Sequence, residues 1–116
     1  MNKRDVMFSL LDGSAPYIPA AFFLHFPPEF REGQPAIDKH LEYFRITGMD
    51  FVKIQYESPF PPVPAIQQAA DWRNMPRYDR DFFAGQLAVI DGIVKAMKAE
   101  AVVVAGTVWI APINGE

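Results

Sequence analysis

Three stretches of the chain carry apolar residues at helical spacing. They cover residues 3–12, 35–47 and 79–99. In the middle stretch Ile37, Leu41 and Phe44 share one face, with Tyr43 beside them, which predicts a buried stripe. His40 falls among charged neighbours, so we expect it on the solvent face. Glycines follow the first two stretches, and this predicts that both helices end there.

The predicted strands alternate with these helices. Residues 18–26 are apolar throughout and favour a fully buried parallel strand. Residues 51–56 are rich in aromatic and β-branched side chains, and residues 101–108 contain a run of valines. Such alternation indicates an α/β fold with a parallel sheet. Residues 58–80 form a proline-rich loop with a short helical piece near 65–70, and loops of this length are usually functional.

Composition narrows the class of protein. The 116 residues suffice for one domain, their net charge is −3, and there is no cysteine. These values predict neither a nucleic-acid surface nor disulfide or thiolate chemistry. The charged N-terminus is followed by no long apolar run, so we expect no signal peptide and no membrane partner. We therefore expect a cytoplasmic protein whose partner is a small-molecule substrate.

The predicted sheet would leave both of its edges unpaired. Three parallel strands joined by two helices have open edges, and a run of valines suits an exposed edge poorly. We therefore expect residues 1–116 to be a single partial domain, the opening portion of a larger fold. A barrel of eight strands needs roughly 250 residues. Open edges also predict a homo-oligomer.

Four segments carry a resemblance to a known family. They are residues 3–13 running into Ile-Pro at 18–19, Pro-Glu-Phe-Arg-Glu at 28–32, Gly-Met-Asp at 48–50, and Asp-Trp at 71–72 followed by Trp-Ile-Ala-Pro at 109–112. In this order they resemble the N-terminal third of the uroporphyrinogen decarboxylase family, whose superfamily includes corrinoid-linked methyltransferases. The resemblance implies the β-α-β-α-β opening of a (β/α)8 TIM barrel.

One departure bears on the activity that the resemblance implies. Uroporphyrinogen decarboxylases carry an Arg-Gln-Ala-Gly-Arg stretch after the first strand, and its arginines bind the substrate carboxylates. Residues 23–27 here read Phe-Leu-His-Phe-Pro, without arginine. The missing arginines favour a divergent or methyltransferase-like member. The zinc ligands of the methyltransferase branch would lie beyond residue 116.

Candidate site residues follow the two predicted strand ends. The family's catalytic aspartate corresponds to Glu57, which would act as a general acid/base or stabilise a positive charge; a solvated loop glutamate is the alternative. Gln55 should share its side of the strand and contact the substrate. His25 ends the first predicted strand, as a ligand or as a side chain bonded to nearby backbone.

Two further residues are weaker candidates for substrate binding. Trp109 would wall a pocket for a flat ligand or cap the core, and Arg31 would replace the missing arginines or lie on the surface. We predict an enzyme acting on a tetrapyrrole or a methylated small molecule when full length. We expect no cofactor within these residues, and zinc or a corrinoid in a methyltransferase-like parent. The alternative is a non-catalytic truncated fragment stabilised by self-association.

Overall fold

The computed structural model describes residues 2–14, 17–55 and 60–105. Within these ranges the chain forms three α-helices and one two-stranded sheet. The elements are α1 (Lys3–Leu11), α2 (Gly33–Thr47), β1 (Val52–Ile54), α3 (Ala84–Met97) and β2 (Val103–Ala105), with 3-10 turns at Pro28–Phe30 and Ala69–Asn74. The predicted α/β class is confirmed.

The two strands pair in parallel. Val52 lies opposite Val103, and the register continues to Ile54 opposite Ala105. A parallel pair needs a crossover, and α3 provides it. Both strands are shorter than predicted, and residues 56–59 and 106–116 lie outside the described part of the chain.

Helix α2 packs on α3 and on β1, and α3 packs on β2, so that the apolar core lies between the helices and the sheet. Phe44 is buried in that core, while Ile37, Leu41 and Tyr43 pack against it, as the spacing in α2 predicted. Gly48 ends α2 in the left-handed region with φ of 65°, which confirms its predicted role. The core cluster comprises Ala36, Phe44, Met49, Val52, Ile54, Val89, Ile93, Met97 and Ala101.

The start of α3 differs from the prediction. The helix begins at Ala84, because the Asp79 carboxylate accepts from the Phe82 N–H and holds a turn before it. Val89, Ile93 and Met97 are the buried residues of α3, whereas Leu87 is exposed. Phe82 and Phe83 precede the helix and contact other rings instead.

The prediction of a buried strand at residues 18–26 was wrong. These residues form no strand; the Asp50 N–H donates to the Ala20 carbonyl, and the Asp50 carboxylate accepts from the Ala20 N–H. Asp50 therefore holds residue 20 through one main-chain and one side-chain hydrogen bond. Ile18 is 90% exposed, and residues 22–24 are about half exposed. Phe26 is buried, and Ala21 packs against the core.

Helix α1 lies across the amino end of the sheet. The Asn2 side chain caps α1 through the Asp5 N–H and donates to the Ala99 carbonyl. The Lys3 ammonium donates to the Gly48 carbonyl, so α1 is joined to the ends of α2 and α3. Leu11, the last residue of α1, is 78% exposed. No helix in the described ranges is long and apolar enough to cross a membrane.

Candidate functional site

A polar group of side chains meets the carboxyl end of β1. Gln55 directly follows the strand and is 1% exposed. Its N–H donates to Nε2 of His40 at 3.0 Å, and its carbonyl accepts from Nε2 of Gln86 at 3.0 Å. Helices α2 and α3 therefore each contribute one polar side chain that holds the main chain at the end of β1.

His40 has its hydrogen-bonding roles assigned by its partners. Because Nε2 accepts from the Gln55 N–H, the ring proton lies on Nδ1, 2.7 Å from the Ala36 carbonyl oxygen. The ring also meets Phe26 edge to face, with centroids 4.9 Å apart. His40 is thus held as a neutral tautomer, with one nitrogen donating and the other accepting.

The prediction that His40 faces solvent was wrong, because the side chain is only 4% exposed. Ala36, His40 and Phe44 follow one another at intervals of four residues and form the buried line of α2. The two apolar neighbours of His40 were a signal available in the sequence. The charged residues around it in the chain outweighed that signal in our interpretation.

The side-chain amide of Gln55 is buried without hydrogen bonds. Neither Nε2 nor Oε1 has a partner within the described structure. Leaving a buried polar group unpaired costs about 1–3 kcal/mol, and native proteins contain few such groups. The structure places Gln55 at the predicted strand end, and its role in substrate binding stays a prediction.

The other predicted site residues have varied positions. Glu57 and Trp109 lie outside the described residues. His25 is exposed, and its ring meets Phe23 edge to face at 4.6 Å. Arg31 donates from Nε to the Phe26 carbonyl at 2.7 Å, just after the first 3-10 turn. Since Phe26 also contacts His40, the structure links Arg31 with Gln55 through these two residues.

Residues 60–83, which we call the strap, connect the strand end to α3. The rings of Phe60, Tyr78 and Phe82 contact one another at centroid distances of 4.3–5.5 Å, and Phe83 meets Phe82 edge to face. The hydrogen bonds described for residues 67–82 all join residues within 64–84. The middle of the strap is therefore joined to the body of the protein mainly by side-chain packing.

An opening lies at the amino end of the sheet. It has a volume of about 620 Å³ and is lined by Asn2, Lys3, Val6, Tyr17, Phe44 and Glu100. Lys3 lies 3.6 Å from a carboxylate oxygen of Asp50 and also donates to a helix end. Desolvation, the charge of Asp50 and a hydrogen bond to it raise the pKa of Tyr17 above 10.0. Because these polar groups hold α1 in place, we favour the carboxyl end of β1 over this opening as the functional site.

The described part of the chain contains no cluster of three or more histidine, aspartate or glutamate side chains that would hold a metal ion. Zinc or a corrinoid in a longer parent therefore stays a prediction. No protein-family model, curated protein or solved structure matches the chain. The arguments for function accordingly come from the site itself.

Proposed function

We propose that this chain contributes the substrate-binding opening of a divergent uroporphyrinogen-decarboxylase-like enzyme. Such an enzyme would act on a tetrapyrrole or a methylated small molecule once further strands complete the sheet. The observation that carries the proposal is the buried, unpaired Gln55 amide immediately after β1. In parallel α/β folds, ligands bind at the carboxyl ends of the strands.

The sheet supports this proposal in its topology. Strands β1 and β2 are parallel neighbours joined through α3, with α2 leading into β1. Repetition of this unit with closure is the architecture of a (β/α)8 barrel. A two-stranded sheet has two unpaired edges, and further strands would pair them. The barrel opening is accordingly the architecture that we propose for residues 1–116.

The contacts of Arg31 favour a divergent member over a strict decarboxylase. Its guanidinium already donates to the Phe26 carbonyl and so holds the turn at residues 28–30. Residues 23–27 contain no arginine that would bind the substrate carboxylates. Methyl transfer from a small molecule is therefore the activity that we would assay beside decarboxylation.

The test uses the natural protein that carries this sequence, isolated from its source cells with an antibody against residues 60–105. Uroporphyrinogen conversion is followed by chromatography of the oxidised porphyrins, and methyl transfer by the absorbance of added cob(I)alamin. We expect one of the two reactions, and a Glu57→Gln variant that loses turnover while its melting temperature is unchanged. Absence of both reactions would refute the proposal. Turnover by the 116-residue chain alone would contradict the need for further strands.

A second candidate function is a non-catalytic chain that associates with copies of itself. It is favoured by exposed apolar residues beside the sheet, namely Ile18, Phe22, Phe23, Leu24 and Val104. Sedimentation velocity tests this alternative with Ile18→Lys and Val104→Lys variants. Loss of an oligomer without loss of melting temperature would support it, whereas a monomeric wild-type chain would exclude it.

A further inference from the structure

We propose that the Gln55 side-chain amide is a hydrogen-bonding subsite for a neutral ligand edge that carries one N–H donor beside one carbonyl acceptor. A lactam or a carboxamide has such an edge. The inference rests on the site of the proposed function, because both start from the unpaired Gln55 amide at the carboxyl end of β1. It does not depend on decarboxylation or on methyl transfer.

The chemistry of the amide selects this class of ligand. Oε1 accepts hydrogen bonds and Nε2 donates them, and both atoms are buried without partners in the described structure. A carboxylate would satisfy Nε2 but place a second acceptor beside Oε1, and an ammonium group would leave Nε2 unpaired. A neutral edge with a donor and an acceptor satisfies both atoms at once, without moving a net charge into a buried site.

The position of Gln55 is fixed before any ligand arrives. His40 accepts from its N–H and Gln86 donates to its carbonyl, each at 3.0 Å. These bonds come from two different helices and hold the main chain on both sides of the Cα atom. Because the main chain is already ordered, binding would require ordering of the amide alone, which lowers the entropic cost of association.

Access to the amide requires a movement, since Gln55 is 1% exposed. The strap is the segment that we assign to this movement. Its Ile66 is buried outside the main core, while the hydrogen bonds of residues 67–82 stay within the strap and its flanking turns. Displacing the strap as a unit would therefore leave these hydrogen bonds and the contacts among its own rings intact, as lid segments do in many enzymes.

The competing explanation is an ordered water molecule that satisfies the amide permanently. Buried waters of this kind commonly make about three hydrogen bonds and are costly to remove. The two explanations differ in two measurable respects. A structural water gives no saturable response to a lactam, and its loss destabilises a Gln55→Met variant.

The experiment is a titration of the isotopically labelled chain followed by ¹H–¹⁵N NMR at the side-chain amide of Gln55. The probe is 2-pyrrolidone, and its matched control is N-methyl-2-pyrrolidone, which keeps the ring and the carbonyl but lacks the N–H. Fragments of this size bind in the millimolar range, so concentrations reach about 50 mM. The protein controls are Gln55→Met, which keeps the length of the side chain, and Gln34→Met, which changes an exposed glutamine of α2.

We expect 2-pyrrolidone to shift the Gln55 amide signals saturably, in the wild type and in Gln34→Met. We expect at least a fivefold weaker response to the N-methyl compound. Backbone shifts around residue 55 should disappear in Gln55→Met, which should melt at the same temperature as the wild type or higher. An equal response to both compounds, no saturable shift, or a lower melting temperature of Gln55→Met would overturn the subsite. Failure of the enzyme assays would leave this result untouched.

Discussion

Replacing His40 with phenylalanine tests the polar arrangement at the end of β1. The substitution keeps a buried ring beside Phe26 and removes both ring nitrogens. The Gln55 N–H then loses its acceptor, which lies at 3.0 Å. The Ala36 carbonyl loses a 2.7 Å contact but keeps its place in the helical ladder.

The expected cost follows from these two losses. An orphaned buried N–H costs about 1–3 kcal/mol, and a lost hydrogen bond to an otherwise paired carbonyl costs about 0.5–1.5 kcal/mol. We therefore expect His40→Phe to lower the free energy of unfolding by roughly 2–4 kcal/mol. His40→Gln retains an acceptor at the position of Nε2 and should lose about half as much.

The assay is urea unfolding at neutral pH, followed by circular dichroism and extrapolated to water. The control is His25→Phe, because this exposed histidine should change the stability by no more than about 0.5 kcal/mol. If His40→Phe were as stable as the wild type, or if His40→Gln lost as much as His40→Phe, the Gln55 N–H would not depend on His40. The tautomer assigned above would then be wrong.

Three further predictions test packing and electrostatics. A Cβ atom on Gly92 would clash with Cδ1 of Ile37 and lie 3.0 Å from its Cγ1, so Gly92→Ala should lower stability by about 1 kcal/mol in urea unfolding. The control is Gly85→Ala in the same helix, where the added Cβ atom meets nothing within 4 Å, and this change should raise the stability by up to about 1 kcal/mol. Equal effects of the two substitutions would contradict the close contact of α2 and α3. Gln55→Met should raise stability by about 1 kcal/mol by removing an unpaired amide, and a loss of that size would mean that the amide is paired. Because folding raises the pKa of Tyr17, the folded state favours the neutral phenol. The resulting contribution to stability is fully present below pH 10.0 and is lost as the pH rises through the pKa of the folded state. An ultraviolet titration of wild type against Tyr17→Phe should therefore show that the phenol lost in the variant ionises above its ordinary pKa, and ionisation at or below that pKa would refute the assignment.

The site was partly accessible from the sequence. The β-branched residues before Gln55 predict a strand, and that strand places Gln55 just past its carboxyl end. This position can be predicted from the local sequence alone. The involvement of His40 and Gln86 could not be read in this way. They lie 15 residues before and 31 residues after Gln55, and only the packing of two helices on β1 brings them to it.

The sequence by itself determined the helices, their glycine ends and the parallel α/β pattern. Periodicity and capping act over a few residues, so α1, α2 and the left-handed Gly48 were predictable. The tertiary structure alone decided the burial of His40, the late start of α3, and the absence of a strand at residues 18–26. A strand forms only beside another strand, and a side chain is buried only where another element packs on it. Both are supplied by residues distant in the chain, and Asp50 bonds to residue 20 without forming a strand pair with it.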